Sequence, residues 1–406
     1  MHEARERWSI PGLAVGISRD GRRVVAADGV RRLGAEEPVA ADTLFRIASV
    51  TKPFVASLAM SLVEDGLLTL DEPPVGSRVR GTVRQLLSHQ GGLAIEWPTP
   101  LDAFGDDDEA LLRLADGEAE RLPVEPGELF SYCNVGYWLV AAAAARVCGV
   151  SFEQALTTRV VEPLALAATS FEPVDAADGH VQVEPGADEH RPVEDRYPRV
   201  RRASGGLWSC VEDLLRFGEH HLVAAGPLTP QSIAEMQKPH AAGPGFQYGL
   251  GWFLTETRGR RAVGHPGSAA GYQSQLVLFP DDGVAVAGLA NSSRGRVAIE
   301  DVLRRLGVGL RDAPAVPLSP RALAAFAGRY TGQGVELDFA PDTDLLRVEM
   351  REYDPFSGDW LTLPSVRARP IGEREFEIVD GEWRGERFDF PRDGFVCMST
   401  LAQGVE

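Results

Sequence analysis

A serine and a lysine three residues apart carry the first chemistry that the sequence suggests. Ser49 and Lys52 lie where an extended apolar segment meets a stretch predicted to form a buried helix. Side chains at positions i and i+3 of a helix share a face, with Cβ atoms about 5–6 Å apart, so Lys52 can reach the Ser49 hydroxyl. Serine needs a base to become a nucleophile, and a lysine among apolar residues can lose its charge and supply that base. The pair therefore predicts an activated serine nucleophile.

The basic residues of the chain sharpen this interpretation. Of the 41 lysines and arginines, only Lys52 and Lys238 are lysines, and arginine does not deprotonate near neutral pH. An isolated Ser-x-x-Lys is nevertheless more often a helix cap beside a solvated charge than a catalytic pair. The catalytic interpretation therefore depends on the other motifs of the chain.

Two further motifs follow the Ser-x-x-Lys pair. Tyr132 and Asn134 form a Tyr-x-Asn motif before an alanine-rich segment, and His265 and Gly267 belong to a His-Pro-Gly motif. Taken singly, such residues are usually a buried phenol, a turn residue and a structural histidine. Taken together with the upstream pair, they predict a catalytic constellation.

In this order the three motifs resemble the serine hydrolases related to class C β-lactamases, D-alanyl-D-alanine carboxypeptidases, D-aminopeptidases and certain carboxylesterases. The resemblance covers residues 8 to 310. Supporting stretches lie at residues 10–16, 86–93, 126–128, 204–207 and 248–252. His89, within one of these stretches, is expected to be structural.

The resemblance implies a role for each motif residue. Ser49 would attack a carbonyl and form an acyl-enzyme, and either Lys52 or Tyr132 could be its base, because the base of Ser-x-x-Lys enzymes is disputed. Asn134 would orient Lys52 and hold the acyl-side amide of the substrate. The backbone N–H groups of Ser49 and Ser268 would form the oxyanion hole, which stabilises the charge that develops in the transition state.

The third motif departs from the β-lactamase pattern. Where those enzymes carry Lys-Thr-Gly, this chain has His265, and a histidine is expected there in D-aminopeptidase-like and esterase-like members. An imidazole can be neutral or cationic near pH 7, so a fixed positive partner for a substrate carboxylate is missing. We therefore assign His265 and Gly267 to substrate contact and orientation, and the departure argues against β-lactam hydrolysis as the main activity.

The order of elements predicts the architecture. Strand patterns at residues 8–48 and 246–310 flank a mostly helical insertion at 66–240, which suggests one sheet built from both ends of a hydrolase domain spanning residues 1–310. By resemblance this is an α/β fold with an antiparallel sheet flanked by helices. A proline-rich linker at 311–320 then leads to residues 321–406, where alternating apolar residues predict a small, independent, β-barrel-like domain.

Composition restricts the function classes. With 406 residues, 44% of them hydrophobic, the chain is globular and long enough for about two or three domains. A net charge of −18 argues against nucleic acids and anionic membranes as partners. The sequence contains no transmembrane stretch, and its charged N-terminus does not resemble a signal peptide, which predicts a cytoplasmic protein. We find no metal-ligand spacing and no glycine-rich phosphate loop, so we expect neither metal nor cofactor.

We therefore expect a serine hydrolase acting on a small ester or on a peptide or amide, similar to an esterase, a D-aminopeptidase or a carboxypeptidase. Acyl transfer and weak β-lactamase activity are alternatives on the same machinery. A catalytically silent binding protein with this fold is an alternative of another class. Besides the small-molecule substrate, we consider one further kind of partner, other copies of this chain in a homo-oligomer.

Overall fold

The computed structural model describes residues 1–95, 97, 100–184, 187–194, 197–224, 226–257, 259–307, 315–332, 334–353, 360–381, 383–398 and 401–404. Within them, helices α1 to α11 are, in chain order, His2–Arg7, Thr51–Glu64, Val83–Leu87, Ala110–Ala115, Asn134–Cys148, Phe152–Leu156, Arg202–Gly205, Val211–Val223, Pro230–Met236, Gly295–Arg305 and Pro320–Ala324. Shorter 3-10 or π turns cover Ala48–Val50, Leu101–Phe104, Thr157–Val161, Arg199–Arg201 and Pro280–Asp282.

Strands β1 to β21 of the same residues are, in chain order, Gly12–Arg19, Arg22–Gly29, Phe45–Arg46, His180–Gln182, His190–Pro192, Trp208–Ser209, Ala241–Gly243, Phe246–Tyr248, Phe253–Thr257, Arg260–Ala269, Tyr272–Phe279, Val284–Ala290, Gly328–Gly332, Val335–Asp342, Leu345–Tyr353, Trp360–Thr362, Val366–Pro370, Glu375–Ile378, Arg387–Asp389, Phe395–Cys397 and Leu401–Gly404.

One antiparallel sheet joins the two ends of the hydrolase part. Its strand order is β2-β1-β12-β11-β10-β9-β8-β7, so the N-terminal hairpin lies beside the last strand, with Leu13 opposite Ala290. The hairpin turns at Asp20 and Gly21, which both adopt positive φ angles, as a tight turn between twisted strands requires. This arrangement confirms the predicted antiparallel sheet.

Helices cover both faces of this sheet. On one face, Gly16 of β1 approaches Val211 and Leu215 of α8 so closely that a Cβ atom would meet their side chains. On the other face, Gly288 of β12 lies against Ile299 of α10 in the same way. Because both faces are covered, every residue of β12 is buried, although antiparallel strands often expose one face.

Two helices of the hydrolase part are buried over most of their length. In α2, every residue from position 51 to 62 is buried, and in α5 every residue from 135 to 145. Gly66 and Gly149, both at positive φ, follow these helices where the backbone must leave the helical conformation. Within the described residues, no single helix is long and apolar enough to cross a membrane. By length and composition only α5 joined to Phe152–Val161 would qualify, and this pair bends by 82°.

The insertion differs from the predicted pattern in two places. The amphipathic pattern of residues 151–168 predicts a helix, but α6 ends at Leu156 and continues as a π turn to Val161, and Ala165 has a positive φ that no helix tolerates. The polar composition of residues 172–200, rich in proline, aspartate and glutamate, predicts a long loop, but the segment contains the short hairpin of β4 and β5. Each strand of this hairpin has only three residues, His180–Gln182 and His190–Pro192, which is too short for a clear alternating pattern in the sequence.

The C-terminal residues form a second sheet with its own core. Its strand order is β14-β13-β21-β20-β19-β18-β17-β15-β16, and β14 also pairs with β15, which nearly closes a barrel. The core of this barrel is aromatic, and it includes Phe339, Phe376, Phe388 and Phe390. These features confirm the predicted β-barrel-like architecture. Residues 311 to 314 of the predicted linker lie outside the described residues, so the domain boundary stays a prediction.

The barrel also packs against the hydrolase part. Phe395 and Cys397 of β20 share an apolar cluster with Val124, Phe130 and Tyr248. The Cys397 thiol donates to the Phe130 carbonyl oxygen at 3.7 Å. The barrel is therefore in contact with the segment that leads to Tyr132.

Candidate active site

Ser49 lies in a strained turn at the start of the buried helix α2. Strand β3 runs into the 3-10 turn Ala48–Val50, and α2 begins at Thr51, so Ser49 precedes the first α-helical turn in which it was expected. Ala48 has a φ of 44°, in the left-handed region that residues other than glycine rarely adopt. Such outliers cluster at functional sites, where the surrounding structure holds them in place. Here the outlier turns the chain sharply just before the Ser49 side chain.

Lys52 lies directly beside Ser49. Its Nζ atom donates to Ser49 Oγ at 3.0 Å and to the Ser204 carbonyl oxygen at 2.9 Å. The Lys52 side chain has no exposed surface, and Nζ lies 4.7 Å from the centre of the Tyr132 ring and 5.6 Å from that of Tyr137. The structure therefore brings this pair together as the i, i+3 spacing predicts.

Tyr132 lies close to Lys52 Nζ. Burial raises the pKa of the Tyr132 phenol above its ordinary value, and a hydrogen bond with Ser49 lowers it only in part. The ring packs 4.2 Å from that of His89 and stacks on Phe253 at 6.4 Å. Tyr132 therefore holds its proton at neutral pH, within reach of the serine.

Gly267 brings strand β10 against the nucleophile turn. A Cβ atom at this position would lie 3.1 Å from the Ser49 backbone nitrogen and would overlap the Ile47 carbonyl oxygen and Ser274 Oγ. Ser274 Oγ itself donates to the Ile47 carbonyl oxygen at 2.6 Å, which ties the neighbouring strand to the same turn. Only glycine permits this approach of two backbones.

The two remaining predicted site residues are Ser268 and Asn134. Ser268 follows on β10; it is exposed, and its hydroxyl accepts a hydrogen bond from Gln273 Nε2 at 2.8 Å. Asn134 begins α5 two residues after Tyr132, and its backbone N–H donates to the Ile95 carbonyl oxygen at 3.2 Å. The roles assigned to Asn134 and Ser268 stay predictions.

His265 is buried and has both ring nitrogens in contact with protein atoms. Nε2 lies 3.0 Å from the Tyr248 hydroxyl, and Nδ1 lies 2.6 Å from the Pro266 carbonyl oxygen. Burial, with a smaller contribution from the nearby Lys52 charge, lowers the pKa of His265 to about 3. The imidazole is therefore neutral at pH 7 and supplies no positive charge to a substrate.

Two residues that the sequence analysis did not assign to the site, His89 and Tyr248, lie next to the predicted site residues Tyr132 and His265. His89 lies 3.2 Å from the Tyr248 hydroxyl through Nε2, and its Nδ1 accepts from the Cys133 backbone N–H at 3.0 Å. Burial, together with the charge of Lys52, lowers the pKa of His89 well below its ordinary value. The available signal was a polar side chain within the stretches at 86–93 and 248–252, which by itself does not show what the side chain contacts.

Aromatic rings line the site next to Tyr132. Phe253 packs 4.9 Å from Phe246 and 5.1 Å from His265, and Phe246 packs 5.1 Å from Phe130. Phe246 and Phe253 are both only half-buried. The site therefore presents an apolar surface as well as polar groups. Within the described residues, no group of three or more metal-ligating side chains is placed to hold a metal ion.

The barrel contact predicts a measurable effect on this site. Replacing Phe395 by alanine removes a buried ring that packs near Phe130, two residues before Tyr132. We expect a loss of about 3–5 kcal/mol in the free energy of unfolding, as for other buried phenylalanines, and a lower kcat. Urea unfolding and steady-state kinetics on an activated ester would measure both.

A second substitution across the same contact is the matched control. Arg392 forms an ion pair with Glu128 in which both side chains are 39% exposed, and such pairs contribute about 0–1 kcal/mol. Arg392→Ala is expected to leave kcat nearly unchanged. Equal effects of Phe395→Ala and Arg392→Ala, or no effect of either, would show that the barrel does not support the site.

The buried neutral histidines predict an acid-sensitive fold. The pKa values of His89, His221 and His265 are all lowered by burial from the ordinary value of 6.5. Below pH 6.5 the unfolded chain binds protons at these positions and the folded chain does not. The free energy of unfolding should therefore fall with pH by about 1.4 kcal/mol per pH unit for each histidine, down to about pH 3 for His265.

Urea unfolding between pH 4 and pH 8 (about the range in which histidine titrates) would measure this dependence. Carboxylates add their own acid dependence, so the comparison is with His221→Gln, which removes one buried imidazole away from the nucleophile. The variant should show a shallower slope below pH 6.5 than the native chain. Identical slopes would contradict the burial of a neutral His221 as the cause.

Comparisons with known proteins show the family of the chain. The β-lactamase family profile matches residues 2–309. The chain is 30% identical over 372 residues to penicillin-binding protein 4 of Amycolatopsis lactamdurans, covering 81% of this chain and 95% of that protein. It is 26% identical over 369 residues to a D-aminopeptidase of Gluconobacter oxydans, covering 85% of this chain and 68% of that enzyme. The crystal structure of SurE superposes with a TM-score of 0.77 at 24% identity, covering 100% of this chain and 97% of that one.

The fold and these matches define a serine hydrolase of the acyl-enzyme type. The chain belongs to the β-lactamase family, whose profile covers all but the first and last residues of the predicted hydrolase part. This confirms the resemblance and the enzyme class that the three motifs predicted. The agreement with SurE shows the fold, and it extends over the barrel as well.

Proposed function

We propose that this protein hydrolyses small esters or amides through an acyl-enzyme formed on Ser49. The observation that carries the proposal is the 3.0 Å contact between Lys52 Nζ and Ser49 Oγ, made by a lysine with no exposed surface. Burial disfavours the ammonium form of Lys52, and the amine formed when it loses a proton can take the serine proton as the oxygen attacks a carbonyl carbon. The acyl group is then transferred to water, which restores the serine.

The raised pKa of Tyr132 favours Lys52 as the base that takes the serine proton in the first step. A phenol whose pKa is raised holds its proton at neutral pH, so it can act as a base only after losing that proton. Lys52 would accept the Ser49 proton, and Tyr132, hydrogen-bonded to the same hydroxyl, would pass a proton to the leaving group and recover it from Lys52. Asn134, close to Tyr132 in the chain, would hold the substrate amide.

The oxyanion hole would be formed by the backbone N–H groups of Ser49 and Ser268. The close approach of Gly267 to the Ser49 backbone nitrogen supports this proposal, because it places the two segments side by side. Donors aimed at the developing oxyanion are usually the largest electrostatic contribution to catalysis of this kind. In this arrangement His265 orients the strand that carries Ser268.

The neutral His265 also narrows the substrate class. Carboxypeptidase and β-lactam substrates carry a carboxylate, and His265 offers them no charge. The site therefore suits an ester or an amide without that carboxylate better. An apolar group beside the scissile bond of such a substrate would pack against the half-buried Phe246 and Phe253. A D-aminopeptidase among the relatives agrees with amide substrates.

A substrate panel tests the proposal. Chromogenic esters, D- and L-amino-acid anilides and nitrocefin would be compared on the native chain, on Ser49→Ala and on Ser61→Ala. Ser61 is the matched control, because it is another buried serine of α2 and its hydroxyl donates to the Leu58 carbonyl oxygen. We expect turnover of an ester or anilide that Ser49→Ala abolishes and Ser61→Ala keeps. Turnover confined to nitrocefin would contradict the substrate class, and no turnover at all would favour a silent binding protein.

A further inference from the structure

A row of buried polar side chains joins two segments of the proposed active site. The Tyr248 hydroxyl lies between two imidazoles, 3.2 Å from His89 Nε2 and 3.0 Å from His265 Nε2. Each of the three side chains is at most 1% exposed. The outer ends of the row are backbone groups of Cys133, next to Tyr132, and of Pro266, next to Gly267.

The backbone contacts determine where each imidazole carries its proton. The Cys133 N–H can only donate, so His89 Nδ1 must accept and carries no hydrogen. A neutral His89 then has its proton on Nε2 and donates it to the Tyr248 oxygen. At the other end the Pro266 carbonyl oxygen can only accept, so His265 Nδ1 carries the hydrogen, and Nε2 is left as an acceptor for the Tyr248 hydroxyl.

The neighbouring groups are compatible with this single direction of donation. Tyr137 also lies within hydrogen-bonding reach of Tyr248, but its own hydroxyl donates to the Leu87 carbonyl oxygen at 2.7 Å. Were the Tyr248 proton directed to Tyr137, His265 Nε2 would lose its donor inside the protein, which is costly for a buried acceptor. The charge of Lys52 acts against a proton on either imidazole.

We propose that Tyr248 is a positioning residue for the serine hydrolase reaction. Through a one-way row of hydrogen bonds, from Cys133 to His89, Tyr248, His265 and Pro266, it fixes the segment that carries Tyr132 relative to the strand that carries Ser268. The proposal rests on the function proposed above, in which these two segments supply a proton-transfer group and an oxyanion donor. The row adds no charge beside Lys52, because each member is neutral.

The tautomers of the two histidines test the row independently of activity. The full chain would be labelled with [¹⁵N]histidine, and two-bond ¹⁵N–¹H correlations at pH 7 would be assigned with His89→Gln and His265→Gln. We expect His89 with its proton on Nε2 and His265 with its proton on Nδ1. The opposite tautomer at either position, or a cationic imidazole, would overturn the proposal whether or not Ser49 is the nucleophile.

Removing the central hydroxyl tests the positioning role. Tyr248→Phe leaves two buried ring nitrogens without their partner, and we expect kcat to fall by about 10- to 100-fold, with a smaller change in KM. In the same variant the backbone contacts should keep both tautomers, and the ¹⁵N shifts of His89 Nε2 and His265 Nε2 should change, because each atom loses the Tyr248 hydroxyl. The matched control is Tyr330→Phe, a buried tyrosine of the barrel core, which should leave both readouts unchanged.

Unchanged kcat in Tyr248→Phe, or an equal loss in Tyr330→Phe, would overturn the positioning role. Should Tyr248→Phe fail to fold, the tautomers of the native chain decide, since the row requires both of them. A chain that shows the expected tautomers, but whose Ser49 does not react with a serine-directed fluorophosphonate, would contradict the proposed function and leave the row of hydrogen bonds intact. The two failures are therefore distinguishable.

Discussion

Lys52→Ala is expected to lower kcat by about 10²–10⁴-fold, the usual cost of losing a general base, and Tyr132→Phe by a similar factor. The reason is geometric, because both side chains contact the Ser49 hydroxyl. Lys52 does so by a 3.0 Å hydrogen bond, and Tyr132 by a hydrogen bond that offsets part of the rise in the Tyr132 pKa caused by burial. Without either one, the serine proton has no relay from the attacking oxygen to the leaving group. Single-turnover kinetics on an activated ester would measure the loss at the acylation step.

The double variant gives the sharper result. Because Lys52 and Tyr132 act on the same proton, the combined loss should be much smaller than the product of the two single losses. Lys238→Ala is the control, since Lys238 is the other lysine of the chain and its side chain is 63% exposed. Near-native kcat in either single variant, or losses that multiply in the double variant, would show that the two residues do not form a unit.

Gly267→Ala has the second large expected effect. The added methyl group would overlap the Ile47 carbonyl oxygen and approach the Ser49 backbone nitrogen to 3.1 Å. A backbone oxygen cannot rotate away as a side chain can, so strand β10 or the nucleophile turn must move. We expect kcat to fall by at least about 10²-fold, the cost of losing one oxyanion donor, together with a loss of about 1–3 kcal/mol in the free energy of unfolding.

A second glycine of the same strand separates activity from stability. A methyl group at Gly264 would lie 2.7 Å from the Leu276 carbonyl oxygen, so it crowds the neighbouring strand and not the nucleophile turn. Gly264→Ala should destabilise the fold to a similar degree and lower kcat much less. The measurements are urea unfolding and kcat on the same preparations. Equal losses of kcat in the two variants would mean that Gly267 matters only for the sheet.

Local patterns predicted much of this molecule. An Asp-Gly pair between two strand patterns, as at Asp20-Gly21, indicates a hairpin because its turn needs positive φ angles. The i, i+3 spacing indicated the contact of Lys52 with Ser49 because helical geometry fixes it. The roles of Tyr132 and His265 could be suggested only through the family resemblance, since neither residue has a local pattern that determines a function.

Other features depend on contacts between distant parts of the chain. His89 and Tyr248 are 159 positions apart, and nothing near either residue predicts their hydrogen bond. The positive φ of Ala48 is imposed by the surrounding structure against the preference of alanine. Phe395 of the barrel shares an apolar cluster with Phe130 of the segment before α5, and no local pattern predicts that packing.

The most direct test of the central claim is the site of covalent modification by a fluorophosphonate, which reacts with activated serines and leaves a stable adduct. Intact-mass analysis followed by peptide mapping of the full chain should show one adduct, on Ser49, and the Ser49→Ala variant should remain unlabelled. An adduct on Ser204 or Ser268, or an unmodified native chain under conditions that label a known serine hydrolase, would contradict the account.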